Sequence, residues 1–171
     1  AAIGGAAVAG ATKVATDPRS MGTQLDDETL ESKVNSAIKK DQQIKSEARI
    51  SVTSYSGRIL LTGQVPNENL REVASSLAKG VQNVNDVYNE VRVGPKVDFA
   101  QISKDSWITS QIKSKMLLDS KVKTSDVKVV TENNEVFLMG NVTQDQGNAA
   151  AEIARNVAGV TKVIKVFNYL N

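Results

Sequence analysis

Apolar residues first recur with a helical period at Leu30, Val34, Ala37 and Ile38, the stripe of an amphipathic helix. Asp26 or Asp27 stands where an N-cap belongs, and Glu28 and Glu31 suit a first turn. The period then shortens to two. Ile50 and Val52 alternate with polar neighbours, Ser56-Gly57 supplies a turn, and "RILLTGQV" reads as the returning strand. Leu70, Val73, Ala74, Leu77 and Ala78 restore helical spacing, with Gly80 just past the end. Val84, Val87 and Val91 suggest a last strand.

The same order then repeats. "LESKVNSAIKKDQQIK" (30–45) matches "ITSQIKSKMLLDSKVK" (108–123), and "ISVTSYSGRILLTGQV" (50–65) matches "VKVVTENNEVFLMGNV" (127–142). "GVQNVNDVYNEVRV" (80–93) matches "NVAGVTKVIKVFNY" (156–169). The offsets are 78, 77 and 76 residues, so two tandem copies of one unit of about 70 residues are expected. In the second copy Asn133-Asn134 takes the turn, where a positive φ is tolerated, and Gly159 is the expected stop of its Ala-rich helix. The fold class is α+β. Each copy runs helix, strand, strand, helix, strand, with an antiparallel hairpin and a third strand parallel to the second.

Residues 1–25, rich in Ala, Gly, Val and Thr, form an expected flexible leader. Copy one is placed at 26–94, a linker containing Gly94-Pro95 at 95–104, and copy two at 105–171. The linker is short, so a monomer with its two copies in contact is expected. The chain opens without Met, as a mature product whose signal peptide has been removed would.

Composition narrows the chemistry. Hydrophobic residues make up 40% and charged residues 23%, ordinary for a globular protein, while only 4% are aromatic, so the cores must be aliphatic. A net charge of +2 is too small to argue for nucleic acid. There is no Cys and no His, which removes disulfides, thiol nucleophiles, imidazole bases and the common zinc and haem ligand sets. No run of about 18 apolar residues encodes a membrane-spanning helix. The acidic "DDETLE" reads as a helix start rather than a catalytic pair, and Gly63, Gly80, Gly140 and Gly159 fit no phosphate-loop spacing. No enzyme, cofactor or metal is expected.

The pattern "I-x-V-x(6)-I-L-L-x-G-x-V" (50–65) and its partner "V-x-V-x(6)-V-F-L-M-G-x-V" (127–142) are each followed by a helix and a Val-rich final strand. Together they resemble the BON domain. Two such copies behind "ATDPRSMGTQLDD" (15–27) resemble the dual-BON outer-membrane lipoproteins of Gram-negative bacteria. The resemblance implies two tandem BON domains, each αββαβ with a three-stranded mixed sheet packed on two helices. It also implies export and a lipid anchor on a Cys preceding Ala1, absent from this chain. The protein would sit on the periplasmic face of the outer membrane, the leader serving as its tether. The family is associated with phospholipid binding and envelope integrity rather than catalysis. In its two-copy members, anionic lipid, with phosphatidylglycerol the suggested species, is linked to the first helix of the second copy. Envelope protein partners are a further implication.

The stretch "KDSWITSQIKSKMLLDSKVK" (104–123) carries the only Trp. Ile108, Ile112 and Met116 replace Leu30, Val34 and Ile38 of copy one and so form the core stripe. Trp107 replaces Thr29 and Leu118 replaces Lys40, so copy two has gained apolar groups where copy one is polar. At 100° per residue Trp107 and Leu118 differ by about 20° around the axis, and the core stripe is centred roughly 140° from Trp107. Gln111 and Ser114 lie on that second face, with Lys104, Lys115 and Lys121 flanking it and Leu117 at its edge. Lys113 and Lys123 read as solvated. Residues 104–123 hold five Lys against two Asp, or +3; residues 26–45 hold four Lys against five acids, or −1. A greasy, cationic second face suits an anionic membrane surface. Two other readings stay open: Trp107 as a core aromatic, and the Trp107 patch as a docking site for a protein partner or for the other copy.

Overall fold

The computed structural model describes residues 21–170. They form two compact units, one spanning Met21–Asp98 and one beginning at Phe99.

In the first unit, helix α1 (Met21–Ile38) and a short helix α2 (Gln42–Glu47) precede the hairpin β1 (Arg49–Tyr55) and β2 (Arg58–Val65). Helix α3 (Glu68–Lys79) then crosses to β3 (Asp86–Val93). The strand order is β1-β2-β3, antiparallel then parallel. The second unit repeats it: α4 (Phe99–Leu117), a 3-10 turn (Thr124–Asp126), β4 (Lys128–Glu132), β5 (Glu135–Val142), α5 (Gln144–Arg155) and β6 (Lys162–Tyr169), ordered β4-β5-β6. Two αββαβ units with three-stranded mixed sheets are therefore present, as the apolar periods require.

Each unit has its own aliphatic core. Leu30, Val34 and Ile38 of α1 pack with Ile59 and Leu61 of β2 and with Leu70, Ala74 and Ala78 of α3. Ile108, Ile112 and Met116 of α4 meet Val136 and Leu138 of β5 and Ala150, Ala151 and Ala154 of α5. Both hairpins turn through two consecutive positive-φ residues, Ser56-Gly57 and Asn133-Asn134, the backbone that matches strand twist in a two-residue loop. Gly63 and Gly140 sit at φ +128° and +149°, where a side chain would land on the carbonyl of Arg49 or of Asp126. Only glycine lets the hairpin partner approach so closely.

Several boundaries differ from the sequence reading. Helix α1 starts at Met21, so 21–25 are helical and the rest of the expected leader lies outside the described residues. Asp26 and Asp27 are therefore in the second turn and cap nothing. Helix α4 starts at Phe99, inside the stretch 95–104 taken as linker, because Gly94-Pro95 ends β3 and only four residues, 95–98, intervene. Asn156, not Gly159, caps α5, with its N–H bonded back to carbonyls of the last turn. Gly159, at φ +94°, turns the chain three residues later, as Asn83 at φ 77° does in the first unit.

Candidate functional site: the outer face of helix α4

The rotation of α4 about its axis is set by its buried stripe of Ile108, Ile112 and Met116 and pinned by one buried carboxylate. Asp105 accepts N–H bonds from Asn133 (2.7 Å) and Asn134 (2.9 Å), the two turn residues of the hairpin. Gln101 donates to the same carboxylate and to the Asn134 side chain, each at 2.9 Å. Asp27 does the equivalent work in the first unit, accepting from the Ser54 hydroxyl (2.7 Å), Ser56 N–H (2.7 Å) and Gly57 N–H (3.0 Å). The sequence reading took Asp27 for a helix cap and missed this clasp. Its only signal was the 78-residue spacing of two aspartates, each ahead of a tight turn.

With Asp105 facing inward, a residue two positions on is rotated by about 200° and must face out. Trp107 does so and is 50% exposed, which removes it from the core of its own unit. Leu117 and Leu118 are 71% and 90% exposed. Phe99 is 80% exposed and was missed, because it fell in the presumed linker rather than in the helix. Phe99 and Leu117 are eighteen residues apart, five full turns, so they share one line along the helix about 27 Å long. Trp107, with Leu118 in the closing turn just past the helix end, forms a second line about 80–100° round. Exposed Ser103, Ser110 and Ser114 occupy the surface between them. The face is thus a band of separated apolar anchors, not one cluster; Trp107 and Leu118 stand about 17 Å apart along the axis.

The cations distribute along the margins of this band. Lys104 and Lys115 are exposed on the Trp107 side, and the Lys104 stem lies against Gly159. Exposed Lys113, read from the sequence as merely solvated, borders the Phe99–Leu117 side once Phe99 is included. Gln111 is half-buried at the Trp107 margin. Lys121 is not brought onto the face by the helix. The chain leaves α4 after Leu117, and Asp119 then accepts from the N–H groups of Lys121 (2.7 Å) and Val122 (3.0 Å). Lys121 is exposed in that turn. Helix α1 differs on this face: Thr29 and Lys40 hold the positions of Trp107 and Leu118, both exposed and polar, and among its described side chains Leu25 alone is a large exposed apolar group. No cluster of potential metal ligands occurs among the described residues, and none of their helices is long and apolar enough to cross a membrane.

Comparison with known proteins adds family context. The BON-domain model matches residues 26–95 and again 104–171. Over 171 residues the chain is 64% identical to the outer membrane lipoprotein DolP of Haemophilus influenzae, covering 100% of this chain and 88% of that protein. It is 56% identical over 154 residues to a 21 kDa hemolysin of Actinobacillus pleuropneumoniae, covering 90% and 79%. It is 34% identical over 154 residues to osmotically-inducible protein Y of Escherichia coli, covering 88% and 76%.

Proposed function

The chain belongs to the BON-domain family, as one of its two-copy outer-membrane lipoproteins, and on that premise we propose that it is a non-catalytic envelope protein that binds anionic phospholipid through α4. The observation that carries this reading is the outward band of Phe99, Trp107, Leu117 and Leu118 with Lys104, Lys113 and Lys115 along its margins. A helix with an apolar face and cationic borders lies in the headgroup plane, its rings at the boundary of the acyl chains. Phosphatidylglycerol supplies the anionic headgroup in this reading, and support of outer-membrane integrity is its consequence.

Affinity from the band alone is modest. Each anchor contributes roughly 1.5–3 kcal/mol when fully buried and each nearby Lys about 1 kcal/mol, against several kcal/mol for association. A lipid anchor of the kind named for the Haemophilus relative would hold the protein at the periplasmic face of the outer membrane, where this weak second contact becomes effective. Lys121, in the turn beyond the helix, adds long-range attraction only.

Vesicle flotation tests the proposal. The chain should float with phosphatidylglycerol-containing vesicles and not with purely zwitterionic ones, and should lose binding with Trp107→Glu or with added salt. Equal behaviour with both vesicle types would instead make the band a docking site for a protein.

A further inference from the structure

We propose that the outer edge of β6 accepts an extended segment of another protein as a fourth strand of the second sheet. The inference does not depend on the lipid reading. It comes from comparing the two units, which treat the same edge in opposite ways.

In the first unit the edge strand β3 is plugged. The Leu170 and Gly94 N–H groups donate to the Val142 and Val65 carbonyls, so even-numbered residues of β6 and β3 turn their main-chain groups toward the central strand. Odd-numbered residues point outward. On β3, Arg71 from α3 reaches over and donates its Nε to the Val91 carbonyl and a terminal nitrogen to the Asn89 carbonyl, both at 2.9 Å. The Asn89 side chain takes the Val91 N–H and returns a bond to the Arg71 carbonyl. Side chains thus consume three of the outward main-chain groups, one of the ways native sheets block a free edge.

Both plugging residues are exchanged in the second unit. Gly147 stands where Arg71 would be, and Lys165 replaces Asn89. A side chain at Gly147 would begin 3.1 Å from the Tyr169 ring and 3.2 Å from the Phe167 ring. Those rings, in edge-to-face contact at 5.9 Å, crowd position 147 against any stem like that of Arg71. They supply apolar cover but no donors. Among the described residues no group takes up the outward main-chain groups of Lys165 and Phe167. Lys165 sends its ammonium to Asn148 instead. The result is an open row at Val163, Lys165, Phe167 and Tyr169, the geometry that strand addition uses.

Charge selects the occupant. Residues 160–170 contain Lys162 and Lys165 and no acid. Two copies pairing edge to edge would set these lysines against one another, which disfavours self-association. A segment of about seven residues that alternates apolar and acidic side chains matches both the row and its charge.

The test is NMR on the full chain with two synthetic heptapeptides, one alternating Val and Glu, the other Val and Lys. The Val/Glu peptide should shift the amides of Val163, Lys165, Phe167 and Tyr169 and slow their hydrogen exchange at least about ten-fold, leaving Val87, Asn89 and Val91 unchanged. The Val/Lys peptide should bind much more weakly. Lys165→Pro, which removes an N–H the sheet does not use, should abolish the effect while the Ile164 and Val166 amides stay protected. If that variant loses its fold, Lys165→Asn, which restores only the asparagine half of the β3-type plug by offering an acceptor to the Phe167 N–H, should still weaken binding. Unchanged outward amides, equal shifts on β3, or protection of the β6 row that grows with protein concentration without peptide would each overturn the proposal, the last by making a second copy the occupant.

Discussion

Replacing Trp107 with alanine is the sharpest perturbation of the α4 face. A Trp side chain buries about 150–250 Å² in a core. Half of the residue is already covered, which leaves roughly 75–125 Å² for a membrane to take up. At about 25 cal/mol per Å² that area is worth about 2–3 kcal/mol, or about 30- to 150-fold in partition. Incomplete immersion of the ring reduces this, so Trp107→Ala should weaken binding to phosphatidylglycerol-containing vesicles by about 10- to 100-fold. The fold should barely notice, because a half-exposed surface residue outside the core contributes little; its unfolding midpoint is the control. The wild type carries its own reporter. Trp107 is the only indole in the chain, so a blue shift of its emission with anionic vesicles, absent with zwitterionic ones, reads insertion at this residue alone. A loss of less than about three-fold in Trp107→Ala, together with unshifted emission in the wild type, would refute the area argument and with it the lipid reading.

Three further outcomes follow from the geometry. Asp105→Ala leaves the Asn133 and Asn134 N–H groups without their acceptor and should lower stability by about 2–4 kcal/mol in chemical denaturation, with the larger loss in the second unit. Gly140→Ala forces a side chain onto the Asp126 carbonyl at a positive φ and should cost at least about 2 kcal/mol, seen as a lowered unfolding midpoint. Phe99→Ser, at a position 80% exposed, should leave stability within about 0.5 kcal/mol but reduce vesicle partition by about five-fold or more.

Most of the architecture was legible because the signal was duplicated. Each unit's apolar period, its turn and its glycine just before the end of β2 or β5 appear twice, and two weak patterns in register make one strong one. What escaped had no periodic signature. Phe99 follows a Gly-Pro break by a few residues, so it read as linker although the helix starts there. Asp27 resembled a cap because helix starts favour acids, yet its carboxylate serves a hairpin nearly thirty residues away, a contact that only tertiary structure reveals. Leu118 and Trp107 could be placed outward from the wheel, since the core stripe fixed the opposite face. Lys121 could not be placed, because the wheel assumes a helix that continues, whereas α4 ends at Leu117.

The two differences between the units fall on opposite flanks of the second one. Helix α4 packs against β4, one edge of the sheet, while α5 packs against β6, the other edge. The band of Phe99, Trp107, Leu117 and Leu118 therefore faces away from the sheet on the β4 side, and the open row of β6 lies beyond α5. A bilayer under α4 does not cover β6. If both readings hold, lipid and an extended protein segment can be engaged together, and the simplest measure of their independence is the Val/Glu peptide's affinity with and without anionic vesicles. Reciprocal coupling would appear as a change in that affinity, because any effect of lipid on the β6 edge must be matched by an equal effect of peptide on lipid binding. The clasp from Asp105 to the hairpin, and the close seat of α5 on the Phe167 and Tyr169 rings, tie each element to its own side of the sheet. The expected coupling is accordingly less than about two-fold, which would make this unit an adaptor that joins a membrane to a strand rather than a switch between them.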